Sequence, residues 1–554
     1  QVLKTDGSGA LSWGDQGGGN TVYATLALLT AATGMSTGDM AYVTANNKLY
    51  LYTGSGWFLV ATVQNNSPTA ITGVASTVDL AKDGTATTIT AVSTDPDGYA
   101  LTWSYAVTTG SLTNGGGASA TVSQADNVFT ITPTTTAAYA GTFSITFSAT
   151  DGTNAVTAVS AFTLVFAYNW SSTTQQQKLV ASDAAASDYF GRATSIDGNT
   201  IIAGASGEDT TASGAGAAYI FTRSGTTWSQ QQKIQASDAQ ADDQFGVGVA
   251  ISGDSVVVSA YGEDTEAINA GAAYIFTRSG TTWSQQAKIT ASDAQADDYF
   301  GALGFGGGGA VAIDGDTVIV GAKNEDTGGS GAGAAYVFTR SGTTWSQQQK
   351  LVASDAAASD YFGHSVAIDG DTVAVGAYFE DGGRGAVYVF TRSGTTWTQQ
   401  QKLTGSTGSF LGGATEISGN TIISGEYGYA NSKGAAYVWT RSGTTWSQET
   451  ILQSSDILTG DQFGYGVGID GDTAVVTTIK QDTTATDSGA AYIFTRSGTT
   501  WTQRKKLKAS DAQADDNFGQ SIGLEGSTLV VGAPYEDTEG SNAGAAYVFT
   551  APSV

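Results

Sequence analysis

The sequence predicts an all-β protein whose larger part is a closed ring of seven β-sheet blades. A segment of 48 to 62 residues recurs from Trp170 to the C-terminus, and each copy contains four strand-like runs. Glycine is abundant, with 74 residues against only 5 prolines in a chain of 554. Repeats of this length are typical of solenoids and propellers, and four antiparallel strands per repeat indicate a propeller blade.

The repeat is clearest over residues 350–397. Asp-Gly or Ser-Gly separates the first two runs of a copy, and Arg-Ser-Gly separates the last two; such dipeptides favour tight hairpin turns. Each copy is marked by a phenylalanine, and we number the copies one to seven in chain order. The seven marker residues are Phe190, Phe245, Phe300, Phe362, Phe410, Phe463 and Phe518.

The two ends of the repeat region complement each other. The last copy stops after Tyr547–Thr550 and lacks a fourth strand, while the first copy is preceded by a surplus strand at Trp170–Leu179. Because open sheet edges promote aggregation, we expect the surplus strand to complete the last blade and close the ring.

The marker motif also resembles a known family. Phe-Gly stands in six copies, the fifth reads Phe410-Leu411-Gly412, and the last copy contains Gly532-Ala533-Pro534. In these residues the chain resembles the FG-GAP repeats of integrin α chains and many bacterial surface proteins. The resemblance implies a seven-bladed β-propeller over residues 168–554. It does not identify a ligand, because function resides in the loops of such a fold.

Residues 65–167 have the pattern of an Ig- or cadherin-like β-sandwich. Short alternating runs are separated by turn signals at Asp83-Gly84, Asp95–Gly98 and Asp151-Gly152, and Trp103 is a candidate core residue. The segment Asp95–Trp103 resembles the calcium-linked turn of cadherin-like bacterial modules. An ordinary turn is the alternative interpretation.

Residues 1–64 form a separate N-terminal module. The alternation over Leu49–Tyr52, followed by Gly-Ser-Gly, predicts a small β-hairpin, and residues 25–33 allow at most one short helix. The module resembles parts of virion fibre and appendage proteins of marine bacteriophages, which implies attachment to other virion proteins. Because the chain begins at Gln1 rather than Met, we expect that an N-terminal segment was removed or is not included.

Composition excludes several functional classes. Lys and Arg number 23 against 50 Asp and Glu, a net charge of −27, which argues against nucleic-acid binding. The chain has no cysteine, which excludes disulfides, thiol catalysis and cysteine-based zinc sites. No apolar run approaches the ~20 residues of a membrane helix, and no signal peptide is recognisable.

Catalytic motifs are missing from the sequence, and we predict that the protein is not an enzyme. The sole histidine, His364, stands at a variable repeat position and is expected at the surface rather than as a general base. The Arg-Ser-Gly-Thr-Thr-Trp turns resemble the Asp boxes of sialidase propellers, but Arg223, Arg278 and Arg340 stand where that motif has Asp. A carbohydrate-active propeller enzyme remains the alternative.

Acidic residues cluster in the loops that follow strands two and four of each blade. These loops emerge on the same side of the ring, which we call the acidic face; the six Arg of the hairpin turns lie on the opposite face, so an electrostatically two-faced ring is expected. Clustered carboxylates suit Ca²⁺, although the integrin-type Asp-x-Asp-x-Asp-Gly loop is absent. The alternative is that these residues cap their own turns. The candidate calcium ligands are Asp188, Asp243, Asp298, Asp360, Asp461, Asp516, Asp209, Asp264, Asp326 and Asp537.

Copies three to five depart from the repeat in loops of the acidic face. Copy three carries extra residues that include Phe305, copy four has Tyr378 and Phe379, and copy five has Tyr427 and Tyr429. Exposed aromatic residues beside polar groups suit stacking on sugars or anchoring a protein partner, so these five residues are the candidate receptor-binding site. The alternative is repeat drift, with the aromatic residues packed between blades.

Together these patterns favour a non-enzymatic adhesion or receptor-binding structural protein, a bacteriophage fibre or appendage on the virion surface. Its expected partners are a host-surface glycan or protein receptor and, through residues 1–64, other virion or filament proteins. Homo-oligomerisation is left open, and neither nucleic acid nor membrane insertion is expected. A secreted bacterial surface adhesin or filament subunit is the second interpretation.

Overall fold

The protein is almost entirely β-structure. The computed structural model describes residues 3–5, 11–13, 21–23, 26–43, 48–62, 66–80, 86–110, 113–114, 117–118, 120–133, 141–164, 168–302, 310–405, 409–482 and 484–552. The chain divides into two compact units, one up to Ala167 and one from Tyr168 to Ser553. The predicted all-β fold class is confirmed.

The N-terminal module contains a four-stranded sheet with a small apolar core. The strands follow chain order as Thr21–Tyr23, Met40–Val43, Lys48–Tyr52 and Trp57–Thr62, and a separate hairpin pairs Leu3–Thr5 with Leu11–Trp13. One helix, Leu26–Thr30, provides Leu29, which packs with Ala41, Val43 and Tyr50. The predicted hairpin is the pair of strands between Lys48 and Thr62.

Residues 66–164 form a β-sandwich. One sheet contains Thr87–Thr90, Ala120–Ala125 and Val128–Pro133, and the other contains Thr77–Asp79, Thr102–Gly110, Gly141–Thr150 and Ala155–Leu164. A short hairpin pairs Thr113–Asn114 with Gly117–Ala118. Both sheets contribute to one core, which includes Phe129, Phe147 and Phe162, while Trp103 packs at its margin. The finer assignment to an Ig- or cadherin-like class stays a prediction.

The two aspartates of the 95–98 turn make hydrogen bonds that close the turn. Asp95 Oδ1 accepts hydrogen bonds from the backbone N–H groups of Asp97 and Tyr99, at 2.8 and 3.2 Å. The Asp97 carboxylate accepts hydrogen bonds from the backbone and side-chain N–H groups of Asn66. These bonds are those of an ordinary Asp-rich turn.

The described part of the second unit contains seven four-stranded antiparallel sheets, which we call blades 1 to 7. Their strands are, for blade 1, Phe190–Asp197, Thr200–Ala205, Ala217–Ser224 and Thr227–Ile234; blade 2, Gly248–Ser252, Ser255–Ala260, Ala272–Ser279 and Thr282–Ile289; blade 3, Val311–Asp314, Thr317–Ala322, Ala334–Ser341 and Thr344–Leu351; blade 4, Phe362–Asp369, Thr372–Ala377, Ala386–Ser393 and Thr396–Thr404; blade 5, Leu411–Ser418, Thr421–Glu426, Ala435–Ser442 and Thr445–Leu452; blade 6, Val467–Asp470, Thr473–Thr478, Ala490–Ser497 and Thr500–Leu507; and blade 7, Ser521–Glu525, Thr528–Ala533, Ala545–Thr550 and Thr174–Leu179. Single helical turns lie at Glu380–Gly383, Tyr429–Ser432 and, as a 3-10 turn, Trp170–Ser172.

The blades form a closed ring around a central channel. The first strand of each blade contacts the first strand of the next, and that of blade 7 contacts that of blade 1. The channel encloses about 200 Å³ and is lined by first-strand residues of all seven blades, for example Ile196, Ile313 and Val467. Glu416 is the one carboxylate among the lining residues, and burial raises its pKa to about 7.

The predicted ring closure is present. The surplus strand Thr174–Leu179 pairs antiparallel with Ala545–Thr550, with Thr174 opposite Thr550 and Leu179 opposite Ala546. The first and last strands of the repeat region therefore share one sheet, which leaves blade 7 with four strands like the other blades.

The Phe-Gly motif serves packing between blades. Phe362 is fully buried, bridges the backbone at Gly333 of the preceding blade, and lies edge-on to Tyr388 and Phe390 at 5.5 and 6.0 Å between ring centroids. The same pair of edge-on rings surrounds Phe190, Phe245, Phe463 and Phe518. Aromatic pairs of this kind stabilise a core beyond their buried area.

Blade 5 corrects one of the seven marker residues. Leu411, not Phe410, occupies the buried position and bridges Gly385 as Phe362 bridges Gly333. Phe410 stands one position earlier, with φ of 69°, where Tyr361 has φ of 55°. In this copy Leu411 takes the core position, and the aromatic Phe410 takes the loop position before it. The phenylalanine therefore does not mark the core residue of blade 5.

The arginines of the hairpin turns link neighbouring blades. Arg340 lies over the Trp345 ring at 5.3 Å, pairs with Asp316 at 2.6 Å, and donates a hydrogen bond to Ser255 Oγ of blade 2 at 3.0 Å. In blade 7, which lacks this Arg, Trp170 Nε1 donates a hydrogen bond to Thr473 Oγ1 of blade 6 at 3.3 Å. The other arginines that bond a Thr of the preceding blade are Arg223, Arg278, Arg392, Arg441 and Arg496.

The expected electrostatically two-faced ring stays a prediction, although acids and amides lie among the arginines of the opposite face. The first hairpin turn of each blade places a carboxylate or amide side chain on the same face as the arginines. Arg278, Arg392 and Arg496, like Arg340, pair with an aspartate of that turn, and Arg223 and Arg441 bond asparagine. The arginines are therefore largely compensated by neighbouring groups.

An engineered disulfide tests the ring closure, because the natural chain has no cysteine. Thr174→Cys with Thr550→Cys places two thiols opposite each other in the pair of strands that closes blade 7. We expect the disulfide to form on oxidation and to raise the free energy of unfolding by about 2–4 kcal/mol, measured by denaturant titration. The reduced double variant and Thr174→Cys alone are the controls. Thiols that stay free under oxidising conditions would contradict this closure.

Candidate functional site

The aspartates that precede each marker position cap their own loops. Asp188 Oδ2 accepts a hydrogen bond from the Ala185 backbone N–H at 2.7 Å, and Asp243 Oδ2 accepts one from Gln240 at the same distance. Asp298, Asp360, Asp461 and Asp516 accept the equivalent bond, from the residue three positions earlier.

The second group of candidate calcium ligands also bonds backbone. Asp209 Oδ1 accepts a hydrogen bond from the Gly214 N–H at 2.6 Å, five residues along the loop. The same contact is made by Asp264, Asp326 and Asp537. All ten predicted residues thus make the bonds that the turn-capping interpretation requires.

In blades 1 to 4 and 7 the acidic cluster also contains a lysine that was not predicted from the sequence. Lys288 Nζ lies 2.7 Å from Asp238 Oδ2 and 2.8 Å from the buried Glu263 Oε1, and its ammonium lies 5.5 Å from the centre of the Tyr274 ring. Thr265 donates a backbone hydrogen bond to the same Glu263 oxygen. The same double ion pair is made by Lys178, Lys233, Lys350 and Lys402. The available signal was the Lys that ends each Gln-rich run.

The fit of these clusters to calcium is limited. Ca²⁺ takes six to eight oxygen ligands, and no group of three or more Asp, Glu or His side chains suited to a metal occurs among the residues the structure describes. The buried Oε2 atoms of Glu263, Glu325 and Glu536 do lack a hydrogen-bond partner, which leaves a negative pocket beside each lysine. Calcium binding stays a prediction. The lysine ammonium already binds these carboxylates and would compete with calcium for them.

Blade 5 replaces the acidic loop by an acid from a strand. Ser409 stands where the other blades have the capping aspartate, and its N–H donates to Glu426 Oε1 at 2.9 Å. Glu426 is fully buried at the end of the second strand. At this position blades 1 to 4 and 7 have a small residue, and blade 6 has Thr478. The loop of blade 5 has no capping aspartate, but its backbone still has a carboxylate as hydrogen-bond acceptor.

Burial raises the pKa of all six capping aspartates. Together with the nearby carboxylates of Glu263, Glu325 and Glu536, it raises the pKa of Asp243, Asp298 and Asp516 to about 6. The hydrogen bonds from the loop backbone act in the opposite direction. Ionisation of these three aspartates at neutral pH therefore costs free energy of folding.

Aromatic residues of blades 4, 5 and 6 form one continuous group on the acidic face. Phe410 stacks on Tyr427 at 5.2 Å and 12°, and on Phe379 at 5.9 Å and 23°; Tyr361 stacks on Tyr378 at 5.5 Å and 20°. Phe379 is 36% exposed and the others are partly buried. We call Tyr361, Tyr378, Phe379, Phe410, Tyr427 and Tyr465 the aromatic cluster.

The structure unites three of the five candidate receptor-binding residues. Tyr378, Phe379 and Tyr427 join the aromatic cluster through Phe410, which was predicted only as a marker residue of the repeat. Tyr429 instead packs against the hydrophobic core of blade 5. Phe305 lies outside the described residues.

The expectation that His364 is a surface residue is wrong. His364 is only 2% exposed, and its ring lies 4.2 Å from that of Tyr378. Burial, and then the nearby charge of Lys323, lower its pKa well below the usual range. It is a neutral packing residue beneath the aromatic cluster at neutral pH.

The raised aspartate pKa values predict stabilisation by mild acid. A folded-state pKa of about 6, above the ordinary value near 3.9, means that proton uptake favours the folded state as pH falls from 7.5 towards 5. We expect the melting temperature to rise by a few degrees over that interval. The triple variant Asp243→Asn, Asp298→Asn, Asp516→Asn should melt higher at pH 7.5 and show a smaller rise on acidification than the wild type.

The control for this experiment is the triple variant Asp264→Asn, Asp326→Asn, Asp537→Asn, which changes exposed aspartates of the same face. It should keep the wild-type pH dependence. Melting with CaCl₂ and with EDTA at pH 7.5 tests calcium in the same samples. A calcium-dependent rise that the first triple variant abolishes would support metal binding there, whereas a melting temperature that falls on acidification to pH 5 would contradict the assignment of the three buried aspartates.

The similarity of the chain to solved structures is low. The phage phi92 endosialidase is 11% identical, with a TM-score of 0.37 over 68% of this chain and 69% of that one. The acylaminoacyl peptidase of Pyrococcus horikoshii is 9% identical, with a TM-score of 0.37 over 66% and 50%. An acylaminoacyl peptidase in complex with Z-Gly-Gly-Phe-chloromethyl ketone is 9% identical, with a TM-score of 0.35 over 61% of this chain and 48% of that one. This chain spans about half of each peptidase, and nothing about its activity is taken from values this low.

Sequence comparison gives the family. No curated protein matches the chain. The FG-GAP repeat matches residues 173–221, 228–276, 283–338, 345–390, 446–494 and 501–549, which together make up more than half of the chain. The unmatched interval contains the inner three strands of blade 5, where Leu411 replaces the phenylalanine. The protein therefore belongs to the FG-GAP repeat family.

Proposed function

We propose that the protein is a non-enzymatic receptor-binding adhesion protein, carried as a fibre or appendage on a bacteriophage virion, and that the aromatic cluster is its receptor-binding surface. The observation that carries the proposal is the continuity of the cluster across three blades. Elsewhere on the acidic face, the described rings in the equivalent loops meet only in pairs, Tyr189 with Tyr535 and Tyr261 with Tyr299.

The chemistry of the aromatic cluster suits a sugar or a protein anchor. Aromatic rings offer large, rigid contact areas, and exposed ones are enriched at binding sites. Phe379 contributes the most exposed ring, and Phe410 and Tyr427 support it from behind by stacking. A closed ring of blades holds these side chains rigidly, which limits the entropy lost on binding.

Two features support a role without catalysis. FG-GAP repeats are not enzymatic, and the repeated acids of the acidic face are engaged by lysine and backbone groups, as Glu263 and Asp243 illustrate. The one histidine is buried as a packing residue. Binding therefore accounts for the departures from the repeat better than a reaction does.

The N-terminal module supports attachment to other proteins of the particle. Phe58, Leu59 and Val60 are 58%, 50% and 53% exposed on the edge strand Trp57–Thr62. Consecutive exposed apolar residues on a sheet edge are a strong association site. No helix among the described residues has the length and hydropathy to cross a membrane.

Substitutions in the aromatic cluster test the proposed function. Phe379→Ala with Tyr427→Ala should reduce binding to host cells or to a glycan array at least tenfold, because the stacking surface is removed. The matched control is Tyr261→Ala with Tyr299→Ala, which removes an equivalent ring pair from blades 2 and 3. Binding is measured by surface plasmon resonance or flow cytometry, and folding is checked by melting temperature.

The control variant should bind like the wild type. Equal loss in both variants would mean that the cluster has no special role. Unchanged binding by the Phe379→Ala, Tyr427→Ala variant at wild-type melting temperature would contradict the proposed site.

A further inference from the structure

The central channel contains a carboxylate that no cation of the protein compensates. Glu416, on the first strand of blade 5, lines the channel together with apolar residues of other blades such as Ile196, Ile313 and Val467. Its Oε1 accepts a hydrogen bond from the N–H of the next residue, Ile417, at 3.1 Å. Among the described residues no Lys or Arg forms an ion pair with it. Because burial penalises the ionised form, this carboxylate is costly to the fold unless a cation joins it.

Glu416 is also a departure from the repeat. It lies opposite Ile423, the third residue of the second strand of blade 5. At the same register each of the other six blades has Gly, Ala or Ser, so the scaffold does not require an acid here. Small residues at this level also keep the channel from being filled by side chains. The six equivalent residues are Ser195, Ala250, Ala312, Ala367, Gly468 and Gly523.

Further carboxylates surround the mouth of the channel on the face opposite the acidic face. The last residue of each first strand accepts a hydrogen bond from a glycine N–H in the first hairpin turn of the next blade. Gly370, for example, donates to Asp314 Oδ2 at 2.7 Å. The series closes from blade 7 to blade 1, where Gly198 donates to Glu525. We call the seven acceptors the mouth ring: Asp197, Ser252, Asp314, Asp369, Ser418, Asp470 and Glu525.

The negative charge of the mouth ring exceeds what these hydrogen bonds need. Ser252 and Ser418 make the same contact through a hydroxyl, at 3.1 Å. The arginines of this face pair with other aspartates of the turns, and the charge of Arg223 acts on Glu525 without an ion pair. Five carboxylates therefore lie at the channel mouth without an ion-pair partner in the part of the chain that the structure describes.

The two levels of charge suit a cation whose charges are separated by an apolar spacer. Glu416 precedes Ser418 of the mouth ring by two residues, about 7 Å along the strand. Between these levels the channel is lined by apolar side chains such as Ile313, Ile469 and Leu524. The lining residues thus alternate, from the interior outwards, between a carboxylate, an apolar wall and a ring of carboxylates.

An ammonium group fits Glu416 better than a metal ion does. Ca²⁺ and Mg²⁺ take six or more ligands, and the described residues contain no group of three or more Asp, Glu or His side chains suited to a metal. A primary ammonium group is monovalent and has three N–H donors, and an attached methylene chain gains from contact with the apolar wall. The channel volume of about 200 Å³ admits such a chain.

We propose that the central channel binds a linear polyamine. One ammonium group contacts Glu416, the methylene chain lies against the apolar wall, and a second ammonium group contacts the carboxylates of the mouth ring. The ligand supplies the missing positive charge and connects strands of different blades, so it stabilises the closed ring. The site is independent of receptor binding by the aromatic cluster, which lies on the acidic face.

Calorimetry with spermidine and the full chain tests the inner contact. Glu416→Gln keeps the shape of the side chain and removes its charge, so it should weaken binding at least tenfold, the scale expected for one charge-assisted hydrogen bond. Spermidine should raise the melting temperature of the wild type more than that of this variant. The matched control is Glu266→Gln, which removes the same charge from an exposed loop of blade 2 and should bind like the wild type.

A second variant tests the mouth ring with a side chain that the ring already uses. Asp314→Ser with Asp369→Ser should keep the hydrogen bonds between blades, because Ser252 and Ser418 make them naturally. It should weaken spermidine binding several-fold and leave the binding of butylamine, which has one ammonium group, unchanged. Glu416→Gln should weaken both ligands, and 1-butanol, which has no charge, should not bind. The second variant also decides the proposal if Glu416→Gln does not fold.

A lysine side chain of a partner protein is another source of the same chemical group. The peptide acetyl-Gly-Lys-Gly-amide represents it, and it should bind like butylamine and more weakly than spermidine. Tighter binding of the peptide than of spermidine would assign the channel to a protein lysine and overturn the polyamine.

Two further outcomes contradict the site itself. Equal binding of spermidine by the wild type and by Glu416→Gln would mean adsorption to the surface of a chain with a net charge of −27. Absence of spermidine binding to the wild type would overturn the proposal directly. Neither result bears on receptor binding by the aromatic cluster, which its own variants test.

Discussion

No side chain fits between the backbones of blades 3 and 4 at the inner part of their interface. A methyl group on Gly321 of blade 3 would lie 1.9 Å from the carbonyl oxygen of Gly363 in blade 4, and one on Gly363 would lie 2.2 Å from that of Ala334. Gly363 also has φ of +89°, which favours glycine. This close approach seats Phe362 against the preceding blade and sets the width of the channel, so the remaining contacts between blades depend on it.

The charged residues of the repeat act within this tightly packed frame. Lys350 connects Asp293, in the loop that enters blade 3, to the buried Glu325 of the same blade. Removing one partner of such a buried pair leaves an uncompensated charge and is strongly destabilising. The repeated acids are therefore part of the scaffold, and the positions free to vary for binding are those where a blade departs from the repeat, as at Phe379 and Tyr427.

The sequence was sufficient to predict the architecture because its signals are periodic and local. Four runs per repeat, turn dipeptides and the unmatched ends predicted the blades and their closure through Thr174–Leu179. Contacts across blades were missed because their partners are far apart in the chain. The side-chain amide of Gln349, for example, donates a hydrogen bond to the backbone carbonyl of Trp397 and accepts one from its N–H, 48 residues away, and no local pattern indicates that pairing.

The candidate site was predicted in part for the same reason. Aromatic departures were visible in the sequence, which is why Tyr378, Phe379 and Tyr427 were identified. Phe410 was taken as the marker residue of copy five because the sequence alone does not reveal a shift of one residue; the bridge from Gly385 to Leu411 does. Burial of His364 depends on Tyr378 from the next strand, which the repeat position alone cannot indicate.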